Sequence, residues 1–139
     1  MEKECLFCQI ASGQIPADKV YEDETWLAFL DIRPVNKGHL LLIPKEHYRN
    51  IFDLSDEALD KLGRPLAKLA QAVKKASQAE GVNIIMNNEP AAGQIIFHAH
   101  WHIVPRFSDD GHRHWAGRND VSKDELAEMA EKIKGILGE

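Results

Sequence analysis

Residues 97–107, FHAHWHIVPRF, set histidines at positions 98, 100 and 102, with Ala99 and Trp101 between them and Ile103, Val104 and Pro105 following. A period of two is the period at which side chains share one face of a β-strand. On that geometry the three imidazoles line one face about 6.5–7 Å apart, and Ala99, Trp101 and Ile103 turn the other way into packing. Two chemistries suit such a face. Histidines are metal ligands, but the outer two are ~13 Å apart along one strand, and a zinc ion with bonds of about 2.0–2.1 Å takes at most a pair of them. The other chemistry is nucleophilic catalysis: a neutral imidazole, available near neutral pH, attacks phosphorus while its neighbours orient it and supply protons or charge. The glycine of AAGQ, residues 91–94, lies just upstream and suits backbone donors for phosphate oxygens.

Outward from this stretch, the pattern predicts a strand over QIIFHAHWHIVPRF, residues 94–107, carrying all three histidines. VNIIMNN before it reads as a strand, as do GHLLLIPKEH up to Pro44 and the pair KVYED and WLAFLDI, split by an acidic turn. Ser55 predicts the start of one long helix, with Asp56 and Glu57 suited to its N-terminus and Leu59, Leu62, Leu66, Leu69, Ala70 and Val73 at helical spacing. Pro65 inside that run predicts a kink or a displaced start, and Gly81 marks the helix end. A short helix is expected over 5–13, and a last helix from Ser122, whose partner Glu125 completes a capping box. Strands and helices mix without βαβ alternation, so the class is α+β with a largely antiparallel sheet of about five strands. The 139 residues make a single domain with a proper core.

A formal net charge of −5 argues against a nucleic-acid binder, which would show a basic face. It leaves room for a small anion at a local site. The N-terminal MEKECLFCQIASGQ has no apolar signal region, and no stretch approaches the ~20 apolar residues of a membrane span. A cytoplasmic chain is expected. Its two cysteines, Cys5 and Cys8, form a C-x2-C pair. A disulfide closing so short a loop would be unusual in a reducing compartment. A thioredoxin-like pair and half of a zinc site both remain open.

The run His98-Ala99-His100-Trp101-His102-Ile103-Val104 resembles the signature H-φ-H-φ-H-φ-φ, with φ apolar, of the histidine triad (HIT) family of nucleotide hydrolases and transferases. The resemblance extends over CLFCQIASGQIPADKVYEDETWLAFLDIRPVNKGHLLLIPKEH and NNEPAAGQIIFHAHWHIVPR, and points to the bacterial Hint-like branch. It implies a HIT-fold homodimer that acts at the α-phosphorus of a nucleoside 5′-phosphate derivative, such as a phosphoramidate or a dinucleoside polyphosphate. His100 would be the nucleophile and His102 its helper with charge and protons. Gly93 and Gln94 match the phosphate-side loop, Asn87 an asparagine near ribose and phosphate, and Asp31 the acceptor of the ribose hydroxyls, with Ile32 packing beside it. His39 matches a histidine adjacent to the nucleophile. Phe7, Ile10, Phe29 and Leu41 match apolar positions around a purine base, with plain core packing as their other reading. The position after Gln94, often Ser or Thr in the family, is Ile95 here, which leaves only its backbone amide to donate.

The resemblance also implies a structural zinc on Cys5, Cys8, His47 and His98, which would take His98 out of the catalytic set. The Cys2His2 combination is a closed tetrahedral one. No catalytic cofactor is implied, and neither nucleic acid nor membrane is an expected partner. His112, His114 and Trp115 either form a solvated loop or reach an active site. Two other readings of the chain remain: a nucleotide-binding or interaction protein without catalysis, and a metal-dependent enzyme with the triad as ligands.

Overall fold

The computed structural model describes residues 4–115 and 117–138. Helix α1 (Leu6–Ala11) is followed by strands β1 (Lys19–Glu22), β2 (Trp26–Leu30) and β3 (Leu40–Pro44). Helices α2 (Asp56–Asp60) and α3 (Gly63–Ser77) lead to β4 (Gly81–Ile85), a single 3-10 turn (Pro90–Ala92), β5 (Trp101–Arg106) and α4 (Lys123–Leu137). The five strands form one sheet in the order β1-β2-β3-β5-β4, and every neighbouring pair is antiparallel. The α+β expectation holds.

Strands β2 and β3 are apolar without interruption because both of their faces are covered. Trp26, Ala28, Leu40, Leu42, Trp101 and Ile103 turn to one side, where Leu69 and Val73 of α3 join them. Leu27, Phe29, Leu41 and Ile43 turn to the other, under Phe7 and Ile10 of α1. Trp26 and Trp101 meet edge to face at 5.6 Å, one on each of two strands that β3 separates.

The helix predicted from Ser55 is two helices. Ser55 caps α2 by accepting the Ala58 amide, and the chain breaks at Lys61 and Leu62 before α3. Pro65 is the reason for the displaced start. It has no N–H for the carbonyl four residues back, and that carbonyl, of Lys61, instead accepts the indole N–H of Trp26 at 3.1 Å. The break therefore ties the helical layer to the sheet. At the far end α3 stops at Ser77, with Gln78 in the left-handed conformation at φ 57°; Gly81 begins β4 rather than closing the helix.

The histidine strand is also shorter than expected. Strand β5 starts at Trp101, where its register with Leu42 of β3 begins. Upstream the chain leaves the ladder, because the Ala99 amide donates to the Tyr48 carbonyl at 2.7 Å and His98 turns to the carbonyl of Pro44. Only His102 lies on regular strand. The alternation survives the break all the same: Ala99 joins the α3 side of the core, while His98 and His100 both meet Phe7. The α4 capping box forms as predicted, between Ser122 and Glu125.

Candidate active site and metal cluster

His100 is almost fully buried. Its Nδ1 lies 2.7 Å from the carbonyl oxygen of His98. A carbonyl can only accept, so Nδ1 carries the proton and the lone pair sits on Nε2. Burial holds its pKa below the ordinary imidazole value, which keeps that lone pair free. The edge of Phe7 supports the ring at 5.1 Å. Phe7 and Phe29 are 3% and 4% exposed and meet each other edge to face, and Ile10 and Leu41 pack with them. All four are core, and Phe7 acts on the site by bracing His98 and His100 from behind.

His102 is oriented by a chain that starts in the backbone. The Val35 amide donates to Nδ1 of His39 at 3.0 Å, so the proton of neutral His39 is on Nε2. That N–H donates to Nδ1 of His102 at 2.9 Å. The remaining proton of His102 is therefore on Nε2, as a donor, next to the ring of His100 at 5.0 Å between centroids. The fixed chain gives the two histidines opposite roles: a bare nitrogen on His100 and an N–H on His102. Burial, then the neighbouring His100 and His39, push the His102 pKa down to about 4. His39 thus adjoins His102 rather than His100. Asp31 points Oδ2 at His39 Nε2 from 3.7 Å and takes the Arg33 amide on Oδ1.

Asp31, His39 and His102 bring ligand-type atoms together, but this cluster does not fit a metal. A metal on His39 Nε2 would need the other ring nitrogen to donate, and that nitrogen is accepting from Val35. The cluster of Cys5, Cys8, His47 and His98 passes the same test. Nε2 of His98 donates to the Pro44 carbonyl at 2.8 Å, which leaves Nδ1 bare and facing the thiols. Nδ1 of His98 lies 3.3 Å from Cys5 Sγ and 3.5 Å from Cys8 Sγ, and Nδ1 of His47 lies 3.3 Å from Cys8 Sγ. Tetrahedral zinc separates sulfur and nitrogen ligands by about 3.5 Å, so the four residues are placed for an ion. The sequence achieves this locally with Cys5 as N-cap of α1 and Cys8 one turn on, its amide bonded to Cys5 Sγ.

Of the other predicted residues, Gly93 and Asn87 come together: a Cβ on Gly93 would meet the Asn87 side-chain amide at 3.8 Å, and Gly93 has φ +92°. Gln94 is used differently from the expectation. Its side chain is 4% exposed; Oε1 accepts from the Glu89 amide and from Asn50, and Nε2 donates to the carbonyls of Arg49 and Ile96. Its own amide donates to the Glu89 carbonyl. With nothing left to offer a leaving group, Gln94 is the brace of the 89–96 loop. Ile95 follows with its side chain 85% exposed, and Ile32 is 89% exposed, past the end of β2 and not packed beside Asp31. His112 and His114 lie along Arg106, which donates to the His112 carbonyl, and Trp115 is exposed.

Sequence reasoning missed Val35, Asn50 and Glu89. Asn50 is 1% exposed and donates to both Glu89 and Gln94; the Arg49 guanidinium beside Glu89 draws its carboxyl down to about 2. Val35 acts through its amide and Asn50 sits in a loop, so neither leaves a mark in side-chain periodicity.

With fold and site in view, the comparison with known proteins is direct. The HIT domain family model matches residues 12–109, and the chain belongs to the HIT family. A HIT-like protein of Methanocaldococcus jannaschii is 44% identical over 131 residues, covering 94% of this chain and 99% of that one. The adenosine 5′-monophosphoramidase of Schizosaccharomyces pombe is 42% identical over 106 residues, 76% of this chain and 77% of the relative. Among solved structures, a Streptococcus mutans protein superposes with a TM-score of 0.93 at 45% identity, over 99% of this chain and 87% of that one. A zinc-bound histidine triad family protein of Mycobacterium smegmatis gives a TM-score of 0.73 at 36% identity, over 93% and 97% of the two chains. No helix among the described residues is long and apolar enough to cross a membrane.

Proposed function

We propose that this chain hydrolyses purine nucleoside 5′-phosphate derivatives, phosphoramidates first among them, by nucleophilic attack of His100 Nε2 on the α-phosphorus. One observation carries the reading: the His98 carbonyl accepts a hydrogen bond from Nδ1–H of His100, which leaves a desolvated, neutral Nε2 lone pair. As the Nε2–P bond forms, the bond to the leaving group breaks, and the departing amine or phosphate takes up a proton. Water then displaces Nε2 from phosphorus. The proton it releases balances the one taken in the first step, and His100 returns to its neutral form with a nucleoside monophosphate as product. His102 Nε2–H donates to the phosphoryl oxygens, where charge builds in both steps. Asp31 holds the ribose hydroxyls, while Asn87 and the Ile95 amide hold phosphate; the Gly93 amide is taken by the Pro90 carbonyl. The naming of the S. pombe relative as an adenosine 5′-monophosphoramidase supports the phosphoramidate choice.

A structural zinc on Cys5, Cys8, His47 and His98 belongs to the same reading. It fits the bare Nδ1 of His98, and the name of the zinc-bound M. smegmatis relative supports it. Such an ion would hold the segment that positions His100 without entering the chemistry. A homodimer is part of the reading too: β4 has one free edge, with Ile84 and Ile85 46% and 43% exposed.

The test is rapid-quench analysis with adenosine and guanosine phosphoramidates, dinucleoside polyphosphates and nucleotidyl sulfates side by side. A covalent nucleotide should form on wild-type protein and be absent from His100→Ala, which should lose turnover by 10³-fold or more on the order seen for lost nucleophiles. Near-wild-type turnover in His100→Ala would reject the scheme.

A further inference from the structure

Helix α4 buries none of its side chains against the described residues, and Leu126, Met129, Ile133, Ile136 and Leu137 are all more than half exposed. These positions, with Ala130, fall on one stripe at helical spacing. An isolated helix of fifteen residues is marginal in water, and an exposed apolar stripe of this size marks a docking face.

A complementary surface lies elsewhere on the fold. A cleft of about 860 Å³ runs between α3 and the β1–β3 side of the sheet, lined by Val20, Leu30, Leu40, Leu69, Val73 and Phe107. On α3 its wall includes Ala72 and Ala76, small exposed residues one turn apart that let another helix approach closely. The cleft is on the α3 side of the sheet, and the histidines meet α1 on the other, so it is separate from the active site. The chain's own α4 does not cover it. Arg106 fixes the exit from β5 by bonding both carboxylate oxygens of Asp110 and the His112 carbonyl, and no α4 residue lines the cleft.

We propose that α4 docks in this cleft on a second copy of the chain, and the second copy returns its α4 in exchange. This rests on the homodimer reading and specifies how the dimer is held. A two-fold exchange makes each contact twice. The stripe, about 22 Å long at 1.5 Å per residue, covers roughly 500 Å² on each side of each docking. Two dockings bring the total near 2,000 Å², within the range of stable interfaces. Charge agrees in sign: the charged residues of α3 are all basic (Arg64, Lys68, Lys74, Lys75), while α4 carries Asp124, Glu125, Glu128 and Glu131 against three lysines.

The experiment compares full-length wild type, Ile133→Asp on the helix and Ala72→Arg in the cleft by sedimentation equilibrium. Both positions are exposed, and circular dichroism checks that each variant folds. Wild type should be a dimer, and each substitution should weaken dimerisation at least ~10-fold, the effect of losing about 1.4 kcal/mol. A dimeric wild type with both variants equally dimeric overturns the helix exchange and leaves the homodimer standing. A monomeric wild type overturns both. A bifunctional maleimide on the Ala72→Cys/Ile133→Cys double variant, with wild type as background for Cys5 and Cys8, should link two chains. A link within one chain places α4 on its own body and overturns the exchange.

Discussion

At the scale of single residues, the site works by assigning protons. His100 and His102 are the same side chain two positions apart, yet a carbonyl on one Nδ1 and an N–H on the other leave one Nε2 bare and one protonated. The proposed mechanism keeps both neutral, and burial favours that form. The folded His102 pKa is about 4 against 6.5 for the free group, so between those values the unfolded chain binds the proton and the folded chain does not. Its contribution to stability is whole above pH 6.5, falls as pH drops from there, and levels off below about 4. Urea titrations at several pH values should show wild type losing stability over that window more steeply than His102→Gln, and kcat/KM of wild type should keep its plateau below the ordinary imidazole range. Gln94 makes a different residue-level case. Removing an amide that four partners rely on leaves buried donors and acceptors unpaired, at about 1–3 kcal/mol for such groups. Gln94→Ala should lower the unfolding free energy from urea titration by that much and reduce turnover through the loop, while Gln94→Ala with an unchanged midpoint would refute the bracing role.

Among the elements, α3 shows how local chemistry places a whole layer. Pro65 cannot accept the helical role its apolar neighbours predict, and the Lys61 carbonyl it releases is used by Trp26. At the other end Gln78 adopts φ 57°, a conformation in which a Cβ is strained and glycine is not. Its position just past the last turn is exposed. Gln78→Gly should therefore stabilise the protein by about 1 kcal/mol, the low end of the cost of the left-handed conformation to a residue with a Cβ, seen as a Tm higher by a few degrees with activity unchanged. A lower Tm would mean that the side chain contributes more than the strain removes.

For the molecule as a whole, the cluster of Cys5, Cys8, His47 and His98 joins parts far apart in sequence: α1 through its cysteines, the turn after β3 through His47, and the approach to β5 through His98. An ion there would contribute its binding free energy to folding. Metal analysis of purified protein should give close to one zinc per chain, and Cys8→Ser should lower both zinc content and Tm, with a smaller effect on turnover than His100→Ala. Wild type that stays metal-free after reconstitution, with a Cys8→Ser Tm equal to its own, would leave the cysteines as packing.

What the amino-acid sequence determined by itself follows from periodicity and local chemistry. The alternation at 98–103 is legible because side chains alternate in extended chain whether or not a ladder forms, so Ala99 and Trp101 went to the core and the histidines to the other side. The Ser122 and Glu125 cap is a contact within one turn, and the cysteine spacing is a contact within one helix start. Tertiary structure alone decided where β5 begins, because that depends on a carbonyl of Tyr48 and the register of β3. It also decided that Gln94 braces a loop, that His39 serves His102, and that Val35 sets the direction of the proton chain. Those roles belong to backbone atoms and to partners many residues away, and a one-dimensional pattern of side chains carries no trace of which carbonyl will be free to receive them.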